Sequence, residues 1–147
     1  MTPNVLISQS EKELEARFAD DFIAHVDGKK ATTLRQFYEE IADLLEIPDF
    51  GFSLDDLNDS LNDLRWLEDE RIVLYFTNTA DLISKERDPA KLRNVLSILE
   101  ATAEDWKWTE DELDDKKEIV LVFEDSDRIR KLLEQEGIDY LEISKLK

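Results

Sequence analysis

The side chains of this chain with the greatest capacity for chemistry are carboxylates, and they are densest in the run LDDLNDSLNDL at positions 54–64. Metal binding is the first chemistry such a run suggests. It lacks, however, the Gly and the terminal Glu of a calcium loop, and it has Leu at every third or fourth position. That spacing is helical. It sets Asp55 and Asp59 side by side one turn apart, with Asp56 and Asp63 flanking and Asn58 and Asn62 on the same side. A solvated helix face accounts well for Asp55 and Asp56, because acids in a first turn also favour the helix dipole. It accounts less well for the whole face: carboxylates four residues apart repel by a few tenths of a kcal/mol, and no Lys or Arg lies between Ser53 and Leu64 to relieve them. Such a stripe suits a cationic partner. The turn Phe50-Gly51-Phe52 just before it offers two aromatics on a glycine hinge, each as well suited to core as to contact.

Other chemistries are excluded by what is missing. There is no Cys, which removes disulfides, thiolate nucleophiles, Cys-ligated zinc and iron-sulfur clusters. The solitary His25 lies among apolar neighbours with no Ser or second His at a motif spacing, which fits a packed or edge-exposed histidine. Gly28, Gly51 and Gly137 are isolated, and the GKK at 28–30 lacks the upstream Gly and downstream Ser or Thr of a phosphate loop. No cofactor or metal is expected. Trp106 and Trp108, flanking Lys107, suit stacking on sugars or bases and equally suit covering a core. The 147 residues hold 19 Lys and Arg against 37 Asp and Glu, a formal net charge of -18, and that sign opposes nonspecific binding to nucleic acid or anionic lipid. At 41% hydrophobic residues with three Gly and three Pro, the chain should fold. It shows no signal-peptide pattern and no apolar stretch of bilayer length, so the expected compartment is the cytoplasm.

Three apolar runs are available to position these groups: DFIAHVDG at 21–28, RIVLYFT at 71–77 and EIVLVF at 118–123. They do not alternate, which indicates burial on both faces, and mostly helical patterns separate them. The expected class is α/β, a three-stranded parallel sheet packed by helices, with an extra C-terminal helix and an edge strand in IDYLEISK. A helix opens at Thr33 with Gln36 as a capping box and closes ahead of Pro48; a second opens at Ser53 with Asp56 and carries Leu54, Leu57, Leu61 and Leu64. Residues 79–87 read as a short helix. Asp88-Pro89 starts another, with Leu92, Val95, Leu96, Leu99 and Ala103 on its buried face. The stretch 106–117 reads as an exposed loop or short turn, and Ser126 caps a helix ending at Gly137. The expected organisation is one domain over 1–147 with its core at about 21–124. Residues 1–20 form a helical extension with Leu14 and Phe18 one turn apart, and 125–147 form a C-terminal extension.

The element order and the segment EIPDFGFSLDDLNDSL resemble the barstar family, small cytoplasmic bacterial inhibitors of secreted ribonucleases, over roughly residues 21–124. The matching parts are a first strand ending in VDG, a helix closing in LLEIPDF, a Gly-containing turn, a helix of the form LDxLxDxL and the strand IVLYF. The resemblance implies a barstar-like fold whose turn and helix enter a ribonuclease active site, with helix aspartates in the place of RNA phosphates. Asp55 and Asp59 match those two positions. Three departures point to a different target enzyme. Asn58 stands where the family commonly has an aromatic, FGFSL is one residue shorter than the aromatic-Gly-x-Asn-Leu form, and Arg93 lies near the place of a further acid.

The expectation is thus a cytoplasmic inhibitor of a ribonuclease, of toxin-immunity type. It is not an enzyme, has no cofactor, binds neither nucleic acid nor membrane, and is monomeric when free. Its partner-binding residues are Phe50, Gly51, Phe52, Asp55, Asp56, Asn58, Asp59, Asn62 and Asp63, facing a cationic active site. Three alternatives remain open at this level. One is an acidic interaction module of the same fold that binds a basic non-nuclease partner. Another is a carboxylate-pair enzyme, which would need a deep pocket at Asp55 or Asp59. The third is acidity spread over the surface for solubility.

Overall fold

The computed structural model describes residues 3–109 and 116–146. Five strands, β1 (Val5–Ser8), β2 (Phe22–Asp27), β3 (Arg71–Thr77), β4 (Glu118–Glu124) and β5 (Tyr140–Glu142), form one sheet in the order β2-β3-β4-β1-β5. Every pairing is parallel. The sheet therefore has five strands where three were expected. The three apolar runs are β2, β3 and β4, in a register that aligns Ala24, Leu74 and Leu121. The other two strands come from near the chain ends. IDYLEISK supplies β5 at the edge. Val5–Ser8, within the segment expected to be helical, is β1 and lies between β4 and β5. All four of its residues are buried, so it carries no alternation to read. Helix α1 (Glu11–Arg17) begins only after Ser10, whose hydroxyl accepts from the Glu13 amide.

The remaining helices are α2 (Leu34–Leu44), α3 (Leu54–Leu61), α4 (Ala90–Lys107) and α5 (Asp127–Gln135). Parallel crossovers are right-handed, so the direction of each step across the sheet decides which face its helix covers. The steps from β2 through β3 to β4, and from β4 to β5, run one way and put α2 to α5 together. The step from β1 to β2 runs back and puts α1 on the other face. The core divides accordingly. Phe37, Ile41, Leu57, Leu61, Leu96, Leu99, Ile129 and Leu133 pack on Ala24, Leu74, Phe76, Leu121 and Phe123. Across the sheet, Leu14, Phe18 and Ile143 cover Leu6, Val73, Tyr75 and Val122.

Local signals set most helix ends. Thr33 and Gln36 form the full capping box of α2, and Ser126 caps α5 through the Ile129 amide. At α4 the Asp88 carboxylate accepts from the Ala90 amide. Residues 79–87 form turns, not a helix, because tertiary partners take their backbone groups. The Arg128 Nη1 donates to the Thr79 and Leu82 carbonyls at 2.9 and 2.6 Å, and the Ile83 and Lys85 amides donate to the Ala31 and Thr32 carbonyls. In the stretch 106–117, α4 continues through Lys107 and Trp106 is buried; positions 110–115 lie outside the described residues.

Candidate functional site

The acidic run forms α3, and the loop before it sets its position. After α2 the chain turns back along that helix. The Phe50 ring meets Tyr38 edge-on at 5.7 Å, Phe52 lies 5.2 Å from Phe50, and the Arg35 guanidinium carbon sits 4.0 Å over the Phe52 ring. Three non-glycine residues of this loop, Glu46, Asp49 and Phe52, have φ of 50°, 53° and 55°. A left-handed L-residue costs roughly 1 kcal/mol or more, so the loop is held by its packing. Ile47 is buried, Phe50 packs on the core, and burial pushes the Tyr38 hydroxyl pKa upward. Gly51 leaves room for the Asp56 carboxylate, which lies where a Cβ would stand and would have to swing aside for any other residue.

Helix α3 is anchored by its apolar side and its C-terminal end. Leu57 and Leu61 are fully buried, Leu54 packs partly, and Leu64 is buried just beyond the last turn at φ 54°. The Trp106 indole N–H donates to the Leu61 carbonyl at 2.6 Å, satisfying one of the helix's orphan acceptors. Downstream, the Trp66 indole donates to the Leu45 carbonyl at 2.7 Å. The buried Lys117 ammonium donates to the Leu67 and Asp69 carbonyls, both at 2.6 Å.

The predicted contact residues separate into groups. Asp55 and Asp59 are exposed, and among the described residues neither has a side-chain hydrogen bond or ion pair. Asp56 is half-buried against Gly51, so only the Ser53 half of the expected capping box forms, through the Asp56 amide. Asn58 is half-buried and accepts from the Asn62 side chain at 3.1 Å, while Asn62 is exposed. Asp63 is bridged by Arg65 at 2.6 Å, and that bond holds its carboxyl below the usual range. Phe52 is 36% exposed and Phe50 half-buried. Sequence reasoning missed Arg35. The run 53–64 has no base of its own, yet in space Arg35 over Phe52 and Arg65 beside Asp63 stand at its two ends. Nothing local in the sequence announces Arg35, whose neighbour is decided by the returning loop.

The other candidates fall elsewhere. His25 is exposed on edge strand β2, with Nε2 2.7 Å from the Thr77 hydroxyl and its ring 5.0 Å from Tyr75. Trp106 covers core at 8% exposure, and Trp108 is 68% exposed with its indole on the Glu104 carboxylate at 2.6 Å. Clefts of about 450, 420 and 350 Å³ are lined by residues of other elements, and neither Asp55 nor Asp59 lines any of the three. Among the described residues no group of three or more His, Asp or Glu is placed to hold a metal ion, and no helix is long and apolar enough to cross a membrane.

No curated protein matches this sequence. A family model does: the one described as Barstar (barnase inhibitor) matches residues 22–114, which run from β2 through the loop, α3 and α4 and cover more than half of the chain. With the parallel sheet and the acidic helix in place, that match shows that the chain belongs to the barstar, or barnase inhibitor, family.

Proposed function

We propose that this protein inhibits a ribonuclease, as a toxin-immunity protein does, and that Asp55, Asp59 and Phe52 form the centre of its binding face. One observation carries this function. In a chain of the barstar family, the two aspartates that the sequence resemblance sets in the place of RNA phosphates stand exposed one helical turn apart, without a cation of their own among the described residues. An enzyme that cleaves RNA must present a cationic groove to its substrate, and a rigid acidic helix meets it with complementary charge that speeds encounter and fixes register. Because Leu57, Leu61 and the Trp106 bond hold α3 on the core, little ordering remains to be done on binding. Phe50 and Gly51 shape the approach, and Asn58 and Asn62 border it. Asp56 and Asp63 contribute less, since one turns to the loop and the other is neutralised by Arg65. Such a protein acts in the cytoplasm as a monomer, by blocking and without chemistry.

The test is inhibition of RNA cleavage by barnase and a panel of other small basic ribonucleases, read with a fluorogenic oligoribonucleotide. Stoichiometric inhibition of at least one enzyme, lost in Asp59→Ala and kept in Asp20→Ala, is expected. A folded protein that inhibits none of the panel at micromolar concentration overturns the proposal.

A further inference from the structure

At the N-terminal ends of β1, β3 and β4, beside the end of α4, a cleft of about 450 Å³ opens. That volume lies within the range of small-molecule sites, about 300–1,000 Å³. Its lining, among the described residues, runs against the charge of the molecule. Fourteen described residues line it, about a tenth of the chain, yet they include five of the nineteen bases and a single one of the thirty-seven acids, Glu118. The bases are Arg17, Arg71, Lys107, Lys116 and Lys117; between them the floor is apolar, with Leu6, Phe18, Trp106 and Val120 each at most 8% exposed.

Two of the bases are built into the wall. Arg71 bridges Asp21 and Glu118 at 3.1 and 2.8 Å. Lys117 is 7% exposed, and its ammonium is met by two backbone carbonyls and by no carboxylate among the described residues. A buried cation with no carboxylate partner among the described residues adds positive charge beside the cleft. Arg17, Lys107 and Lys116 complete the lining. None of them is without a partner, and Lys107 also lies in the field of Glu100 and Glu104, but a guanidinium carries five donors and an ammonium three, so a ligand can share them with the partners already there.

We propose that this cleft binds a small organic anion: a phosphate- or carboxylate-sized head on Arg17, Lys107 and Lys116, with an apolar body about the size of one aromatic ring on the apolar floor that Trp106 borders. The apolar part is needed. A bare inorganic anion approaches a protein of net charge -18 against long-range repulsion, whereas a ring also removes the floor of the cleft from water.

The experiment titrates the full-length protein, with no ribonuclease present, against phenyl phosphate, phenylacetate, inorganic phosphate and benzyl alcohol at fixed ionic strength. The readout is the indole N–H resonances of the three Trp. At least one aryl anion should saturate, shift Trp106 and leave Trp66 in place. It should bind about tenfold or more tightly than inorganic phosphate, and the tighter of the two identifies the head group. The double variant Arg17→Gln, Lys107→Gln should weaken it about tenfold, and Asp59→Asn should leave it unchanged. The proposal is overturned by absence of a saturable Trp106 shift with either aryl anion at millimolar concentration. Equally tight binding of neutral benzyl alcohol, or undiminished binding by the double variant, also overturns it.

Discussion

Acids on α3 and acids around Arg130 belong to the same surplus but are settled in opposite ways. Arg130 lies between the end of β4 and β5. Its Nε and Nη2 reach both oxygens of Asp125 at 2.6 and 3.1 Å, and Nη2 also reaches Glu142 at 2.8 Å. Gln9, just past β1, donates to Asp125 at 2.9 Å, and Lys145 adds a bridge to Glu142 at 3.3 Å. The bond from Arg130 is the first cause holding the Asp125 and Glu142 carboxyls below their usual range. These acids tie four segments of the sheet's end together. Among the described residues Asp55 and Asp59 have no such partner. The number of acids on a surface therefore says little about their role; where the few bases go separates acids that hold the fold from acids available to a partner.

Removing Asp59 breaks that comparison most directly. Asp59→Ala is expected to weaken binding to a cognate ribonuclease by about 2–5 kcal/mol, the range for truncating one partner of a buried charge pair, which the barnase–barstar complex itself helped to set. Thermal stability should stay within a few tenths of a kcal/mol of the parent, since a repulsion between neighbours is also relieved. Unchanged affinity in a calorimetric titration would remove α3 from the interface. In stopped-flow measurements on the parent protein, added salt should slow association more than it speeds dissociation. Association that ignores salt would point to an apolar interface.

A smaller effect is expected from the anchor beneath the acidic face. Trp106→Phe keeps most of the ring volume and leaves the Leu61 carbonyl without its indole donor, at a cost of about 1–3 kcal/mol in denaturant unfolding. Binding should weaken with it, because Asp59 is then carried on a less firmly held helix. A variant destabilised with affinity intact would show that α3 does not need this anchor.

The smallest effect belongs to the acids that hold the fold. With folded-state carboxyl pKa values depressed, the stabilisation from Asp125 and Glu142 is present above the ordinary carboxylate range and is lost as pH falls through the lowered values. Arg130→Gln should therefore lower stability slightly at pH 7 and flatten its decline below about pH 4, followed by circular dichroism. Inhibition should not change. A loss of inhibition here would erase the distinction between the two regions.

The elements legible in the sequence are those with local signals. The apolar runs of β2, β3 and β4, the Thr33-Gln36 box and the Ser126 cap all act within a few residues, and each stands where its pattern placed it. The helical spacing that sets Asp55 beside Asp59 is equally local. What could not be read depends on the path of the chain. Asp56 folds back because Gly51 leaves it room, Asp63 meets an arginine beyond the helix, and Arg35 arrives over Phe52 from another helix. Residues 79–87 have helical composition but lose their backbone partners to Arg128 and the Ala31-Thr32 segment. Strand β1 is too short and too buried to show a period, and its pairing partner β4 lies more than a hundred residues downstream.

That last separation fixes an order of assembly. A ribosome makes Val5, Leu6 and Ile7 more than a hundred residues before β4 and β5, the two strands that flank them in the finished sheet, and they wait for both. Until then these three apolar residues lack their native partner strands and are a site for chaperones or for self-association. The docking of β1 between β4 and β5 closes the sheet in a single late step, so a truncation just before β4 would leave β1 without either of its partners.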